Sequence, residues 1–253
     1  MRAVCVIPAR MGSSRFPGKP LEPLLGLPLI LHVWRRCRLF SGFERLVVAT
    51  CDEPIRRAVE AAGGEVVMTS DSHERATDRV VETIGRLELG LQPDDFVLMV
   101  QGDEILVTPT MLSDITDAYV KSRSPVVNLV SALYRTEDHD SPHTVKVVAD
   151  LTGRALYMSR APIPSRSRAK DGIPMFQQTG VIGFSAEFLK RYGTLAPTPL
   201  EKVESVDMMR VIEHGYPVQL VTTSIETIGV DTPEDLKRAE DVLRADPLVS
   251  QYL

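Results

Sequence analysis

The chain has 253 residues and a mass of 28.0 kDa, with 43% hydrophobic, 25% charged and 6% aromatic residues. These values exclude disordered, collagen-like and mucin-like chains, because enough apolar surface is present to offset the entropy of ordering. A net charge of −5 and a pI of about 5.6 argue against a general nucleic-acid binder.

The opening stretch, Met1 to Ile7, lacks an adequate apolar segment and a small-residue cleavage site, so no secretory signal is read and a cytoplasmic location is expected. Ala3–Ile7, Arg45–Ala49, Glu65–Met68 and Phe96–Val100 have the composition of strands. Between them, Leu29–Arg38, Pro54–Ala62 and Ala76–Leu87 carry helical periodicity, the second with Asp52 as a candidate cap. The apolar run from Leu24 to Val33 is broken by Gly26 and Pro28 and is too short to span a membrane. Alternation of this kind is the signature of an α/β protein with a mainly parallel sheet flanked by helices. After a further helix at Pro109–Ser122 the pattern changes. Val126–Ala132, Val145–Ala149, Ala155–Ser159 and Thr179–Phe184 are successive strands without helices between them, which predicts a smaller mixed or antiparallel extension over about 126–184. Helices at Ala186–Tyr192 and Glu204–His214, a strand at Val218–Val221 and a last helix from Pro233 complete one domain spanning 1–253.

Cys5, Cys37 and Cys51 are odd in number and widely spaced, which suits reduced, buried thiols. Charge is less evenly spread. In the first forty residues Arg2, Arg10, Arg15, Lys19, Arg35, Arg36 and Arg38 face one acid, Glu22, which points to a local polyanion site. Arg35, Arg36 and Arg38 are expected on a solvated helix face.

The segment Pro8 to Pro20, PARMGSSRFPGKP, follows the first strand, where open α/β sheets collect ligands. Gly12, Ser13 and Ser14 let backbone N–H groups approach an anion, and Arg10, Arg15 and Lys19 add fixed positive charge. A P-loop is disfavoured, because five residues separate Gly12 from Gly18 and Pro20 follows Lys19 where a Ser or Thr is required. Asp103, in the turn Gln101-Gly102-Asp103-Glu104 after a buried strand, and Asp231, in Gly229-Val230-Asp231-Thr232-Pro233, are candidate Mg²⁺ carboxylates. Each has a plain alternative as a helix cap. His32, His73, His139, His143 and His214 are read as surface or structural residues, and no general base is evident.

IPARMGSSRFPGKPL resembles the signature loop of sugar-nucleotide cytidylyltransferases, and within them the 3-deoxy-manno-octulosonate cytidylyltransferase (CMP-Kdo synthetase) family. VVATCDEPI, AVEAAGGEVVMT, VQGDE, VKVV, LYMSRAPIP and GVDTPEDL follow in the family's order, so the resemblance covers essentially the whole chain. It implies a Rossmann-like nucleotidyltransferase fold. It also implies a Mg²⁺-dependent reaction in which CTP and a 3-deoxy keto sugar acid give a CMP-sugar and pyrophosphate, as in lipopolysaccharide or glycoconjugate biosynthesis. By the same resemblance, Arg10, Lys19, Asp103 and Asp231 would be catalytic, with Asp103 and Asp231 on the metal. Pro8, Ala9, Arg10, Gly12, Ser13, Ser14, Arg15, Lys19, Thr77, Arg79 and Asp103 would hold the nucleotide, and Gln101, Arg160, Gln178 and Asp207 the acceptor. A homodimer is implied, with the 126–184 extension as acceptor lid and interface, and neither a nucleic-acid nor a membrane partner.

The chain departs from the family pattern near both substrates. Arg75 and Ala76 stand where the Ser-Gly-Thr motif, which the resemblance places by the pyrimidine base, has Ser and Gly, a change to the base pocket that makes UTP an alternative donor, and Ile105 follows QGDE in place of Pro. Gln178 replaces a His, and Asp207-Met208 replaces Glu-Gln. An amide, a shorter carboxylate and a thioether offer different hydrogen bonds to substrate hydroxyls. An amino-substituted ulosonate, a nonulosonate or a phosphonate is therefore an alternative acceptor, a uridylyltransferase an alternative activity, and a non-catalytic sugar-nucleotide sensor an alternative class.

Overall fold

The computed structural model describes residues 1–12, 16–168, 174–225, 227–230 and 232–253. In the first half, strands and helices alternate: β1 (Ala3–Pro8), a small hairpin of β2 (Pro23–Leu24) and β3 (Leu27–Pro28), α1 (Leu29–Arg38), β4 (Arg45–Thr50), α2 (Glu53–Ala61), β5 (Glu65–Met68), α3 (Ala76–Leu87), β6 (Phe96–Val100) and α4 (Pro109–Ser122). The second half adds β7 (Val126–Ala132), α5 (Thr136–Asp140), β8 (Lys146–Ala149), β9 (Ala155–Ser159), β10 (Phe176–Ser185), α6 (Ala186–Tyr192), α7 (Pro199–Glu204), α8 (Asp207–Glu213), β11 (Gln219–Thr223) and α9 (Pro233–Ala245).

Nine strands form one sheet, with the main order β11-β7-β10-β6-β1-β4-β5. β6, β1, β4 and β5 run parallel, as do β7 and β11, whereas β10 is antiparallel to both of its neighbours. β7 and β10 are thus part of the main sheet, and the β8–β9 hairpin extends it from β10. The chain leaves β1 toward β4 and later returns to β6 on the other side. That reversal opens a crevice beyond the carboxyl ends of β1 and β6, where a ligand is expected.

All six residues of β1 are buried because helices cover both sheet faces. Cys5 and Ile7 pack with Ile30, Val33, Trp34, Met111, Ile115 and Leu243 from α1, α4 and α9. Val4 and Val6 face Val80, Leu189, Met208 and Met209 from α3, α6 and α8. At Gly183 a side chain would meet the Phe96 ring at 2.3 Å, so strand packing there requires glycine.

Several expectations need correction. The helix expected over Glu204–His214 is two pieces, because Ser205 adopts φ 55° and separates α7 from α8. The start of α7 was legible as Thr198-Pro199-Leu200-Glu201, a capping box with proline in the first turn. Arg36 does not lie on a solvated face: it is 1% exposed, donates from Nε to Val107 O at 2.7 Å and pairs with Asp246 at 2.7 Å. Arg35 reaches Tyr252 O, so the chain end covers this side of α1. Asp52 occupies the N-cap position of α2 without a side-chain cap bond; its carboxylate instead accepts from Met11 N at 2.8 Å. Cys5 and Cys37 are buried as expected, and Cys51 is only half-buried. No described helix is long and apolar enough to cross a membrane.

Candidate functional site

Beyond the ends of β1 and β6 lies a cavity of about 420 Å³. Its walls come from three places: Pro8, Ala9, Arg10, Gly12 and Lys19 of the first loop; Gln101, Gly102 and Asp103 after β6; and His73, Arg75, Ala76, Arg79 and Ser205 from the start of α3 and the α7–α8 link. Sequence positions a hundred residues apart meet here because β1 and β6 are adjacent and parallel. A Cβ at Gly102 would lie 3.0 Å from Pro8 O, tighter than an ordinary contact, so glycine lets the two segments approach here.

At the floor, Lys19 Nζ pairs with Asp103 Oδ2 at 2.6 Å and also donates to Val230 O. Lys19 is 9% exposed, and an ammonium so buried is stable only when paired. Asp103 does not cap the following helix: Thr108 does, accepting from Met111 N. The cap of α9 is Thr232, in a capping box with Asp235, so the helix-cap alternative for Asp231 is not needed. Asp231 itself, with Ser13, Ser14 and Arg15, lies outside the described residues. Glu104 turns away from the cavity and accepts from Gly180 N, tying the turn after β6 to β10.

Arg10 Nη1 donates to His73 O at 3.2 Å, and the His73 ring contacts the Glu82 carboxylate at 2.5 Å. Burial alone would raise Glu82, but bonds from Ser70 N, His73 and Arg86 bring it down to about 2. Arg79 is 2% exposed and donates from Nη1 to Thr69 Oγ1 and Ser70 O; its buried Nη2 has no hydrogen-bond partner among the described residues. A buried donor of this kind in a cavity wall is a position for a ligand acceptor.

The residues expected around the acceptor are not gathered in one place. Gln101 is in the cavity wall. Gln178 lines a second cavity of about 220 Å³, on the other side of Glu104, and donates to Asn128 Oδ1 at 2.8 Å. Arg160 donates from Nε to Glu204 O at 2.8 Å and from Nη1 to Pro142 O at 3.1 Å, joining β9 to α7. Asp207 accepts from both Thr77 N and Thr77 Oγ1, so it closes the first turn of α3. Burial raises the Asp207 carboxyl above its usual range despite those two bonds. Thr77 is fully buried behind the wall.

A group that sequence reasoning missed joins these elements. Arg210 forks onto Glu201 at 2.8 and 2.6 Å, reaches Asp78 at 2.8 Å and lies over the Tyr192 ring. Arg75 donates to Ser205 Oγ at 2.7 Å from the cavity side of the same cluster. The spacing of Asp78 and Arg210 in the sequence gave no signal, since they are brought together only by packing.

A sequence model of the cytidylyltransferase family matches residues 4–228. The chain is 42% identical over 248 residues to a 3-deoxy-manno-octulosonate cytidylyltransferase of Syntrophobacter fumaroxidans, covering 97% of this chain and 98% of that one. It is 38% identical to an 8-amino-3,8-dideoxy-manno-octulosonate cytidylyltransferase of Shewanella sp. (strain ANA-3), covering 97% and 100%. A solved structure of CMP:2-keto-3-deoxy-manno-octonic acid synthetase complexed with CTP superposes with a TM-score of 0.87 at 34% identity, covering 97% of this chain and 99% of that one.

Proposed function

The chain belongs to the cytidylyltransferase family, and from that premise we propose that it converts CTP and a 3-deoxy-manno-octulosonate-type sugar acid into a CMP-sugar and pyrophosphate. The observation that carries this reading is the cavity beyond β1 and β6, where Lys19 sits on Asp103 and Arg10 and Arg79 are among the lining residues. The acceptor hydroxyl oxygen forms a bond to the α-phosphorus and gives up its proton to water, as the bond from that phosphorus to the β-phosphate oxygen breaks and pyrophosphate leaves with the electron pair. Arg10 and Lys19 neutralise the triphosphate, which is where phosphoryl-type transfer gains most of its rate. Arg79 donates to the pyrimidine, Gln101 positions the acceptor, and Ser13, Ser14 and Arg15 complete the phosphate loop.

Asp103 and Asp231 would hold Mg²⁺. The donor set fits: Asp103 already carries a cation, the Lys19 ammonium, and one or two carboxylates with phosphate oxygens and water are what Mg²⁺ takes. When bound, the ion supplies charge neutralisation on the phosphates. We further propose a cytoplasmic homodimer with the 126–184 region contributing interface and acceptor contacts; light scattering that gives the mass of one chain removes the dimer.

Pyrophosphate release tests the whole reading. CTP with 3-deoxy-manno-octulosonate should give turnover that UTP does not support, that EDTA abolishes and that Mg²⁺ restores. Silence with CTP and a panel of sugar acids refutes it in favour of a sensor. The Shewanella relative supports one second reading, an amino-substituted acceptor.

A further inference from the structure

A carboxylate stands behind the wall of a cavity read as a polyanion site. Glu82 of α3 holds Ser70 N on Oε2 at 2.9 Å and His73 Nε2 on the same oxygen at 2.5 Å, while Oε1 accepts from Arg86 Nε at 2.7 Å. Arg79, three positions earlier and so on the same face of α3, donates to Ser70 O at 3.1 Å and to Thr69 Oγ1. The link from β5 to α3 is thus gripped by two side chains of one helix. Only about a fifth of the His73 and Glu82 side chains is exposed, at 22% and 20%, so their contact is part of the wall and not of the outer surface.

This segment in turn holds Arg10. The backbone on either side of Arg10 is pinned, by Ala9 N on Ala49 O at 2.9 Å and by Met11 N on Asp52 Oδ2 at 2.8 Å. Its guanidinium has one partner among the described residues, His73 O, which accepts from Nη1 at 3.2 Å. Arg10 and His73 both line the 420 Å³ cavity. An arginine that is not held must be ordered when phosphates arrive, whereas one aimed beforehand binds without that loss. Resting on the reading of this cavity as the CTP site, we propose that Glu82 is a positioning residue for Arg10: it fixes His73, and the His73 carbonyl aims the guanidinium at the triphosphate. Charge alone predicts the opposite sign. Glu82 is an anion beside a polyanion site, so its removal would tighten CTP binding if only through-space repulsion mattered, and would weaken binding if it positions Arg10.

The test measures Kd for CTP by isothermal titration calorimetry, with KM for CTP, KM for 3-deoxy-manno-octulosonate and thermal melting alongside. Glu82→Ala should raise Kd and KM for CTP by about tenfold and change KM for the sugar acid by less than about twofold. Glu82→Gln can still accept from Ser70 N, and His73→Phe keeps the backbone carbonyl but loses the bond to Glu82. Each should raise Kd by about threefold, and these two carry the test if Glu82→Ala melts early. Arg86→Ala, which removes only the outer partner of Glu82, should leave Kd within about twofold of wild type. In an Arg10→Ala background, Glu82→Ala should add less than about twofold, because the residue through which it acts is gone. Tighter or unchanged CTP binding in the folded Glu82 and His73 variants, or an equal loss with and without Arg10, overturns the proposal. Failure of the wild type to bind CTP instead overturns the reading on which it rests.

Discussion

Replacing Arg210 by Met tests whether the cluster behind the cavity is a structural clamp. Arg210 is 3% exposed and its partner Glu201 is 1% exposed, so the substitution leaves a carboxylate inside the protein without its guanidinium. Breaking a buried pair from one side costs about 3–5 kcal/mol, because the remaining charge is uncompensated. Asp78 adds little, since its side chain is 28% exposed and such pairs are worth under about 1 kcal/mol. Arg75, 3.7 Å from the same Glu201 oxygen, offsets part of the loss, which places the expectation near the lower bound, about 3 kcal/mol. For a chain of this length that is a fall in Tm of roughly 6–12 °C. The companion variant Arg210→Met/Glu201→Gln removes the orphaned charge and leaves an amide that can still accept from Thr198 N, as Glu201 does at 3.1 Å. It should recover about half of the loss or more. Thermal melting by circular dichroism reads both. A single variant that melts within about 2 °C of wild type, or a double variant no better than the single, refutes the clamp.

Asp103→Asn should lower the rate of pyrophosphate release by about 10³-fold and also lower the Tm, because Lys19 loses its charged partner, and a fall in Tm with near-normal turnover would return Asp103 to a structural role. Gly180→Ala would place a Cβ 2.7–2.9 Å from the Gln101 side chain and push that side chain from its place in the cavity wall. Turnover should fall by about tenfold or more, and unchanged kinetics would remove Gln101 from the site. Glu82, held at about 2, contributes stability that is present above its unfolded value and lost as pH falls through that range toward 2. The Tm difference between wild type and Glu82→Gln should therefore shrink between about pH 5 and pH 2; a difference that does not change with pH contradicts the bonds from Ser70, His73 and Arg86.

The parts of this fold written in local pattern were legible. β5, β6, α1, α3, α4 and β7 begin and end where composition and periodicity place them, because each is a self-contained apolar run with its own stop signals. That Arg10, Gly12, Lys19 and Asp103 would meet at one cavity was legible for a related reason: small residues and charges just after buried strands have few structural uses. What failed depends on residues far away. Ser205 breaks a continuous apolar pattern because Asp207 is engaged by Thr77, 130 positions earlier. Arg36 is buried because Val107, Asp246 and Tyr252 converge on it, and nothing near it in sequence announces them. Asp52 has the residue type and position of a cap, yet it serves Met11 N in the loop after β1, a partner that only the adjacency of β1 and β4 supplies.

The basic first forty residues and the net charge of −5 are reconciled at Lys19. Its ammonium is bonded to Asp103 after β6 and to Val230 O before α9, while its own backbone begins a 3₁₀ turn that ends the first loop. One buried cation thus gathers three distant segments at the crevice where the sheet reverses direction. The arrangement has a physical consequence for the reaction proposed. A cation that must be paired to stay buried is already in position when phosphates arrive, so little reorganisation is needed to place positive charge beside them, and preorganised charge is worth more in such a site than charge recruited from solvent. The acidic residues elsewhere do not oppose this, because their charge is screened over about a Debye length in water while the Lys19–Asp103 pair lies within the protein.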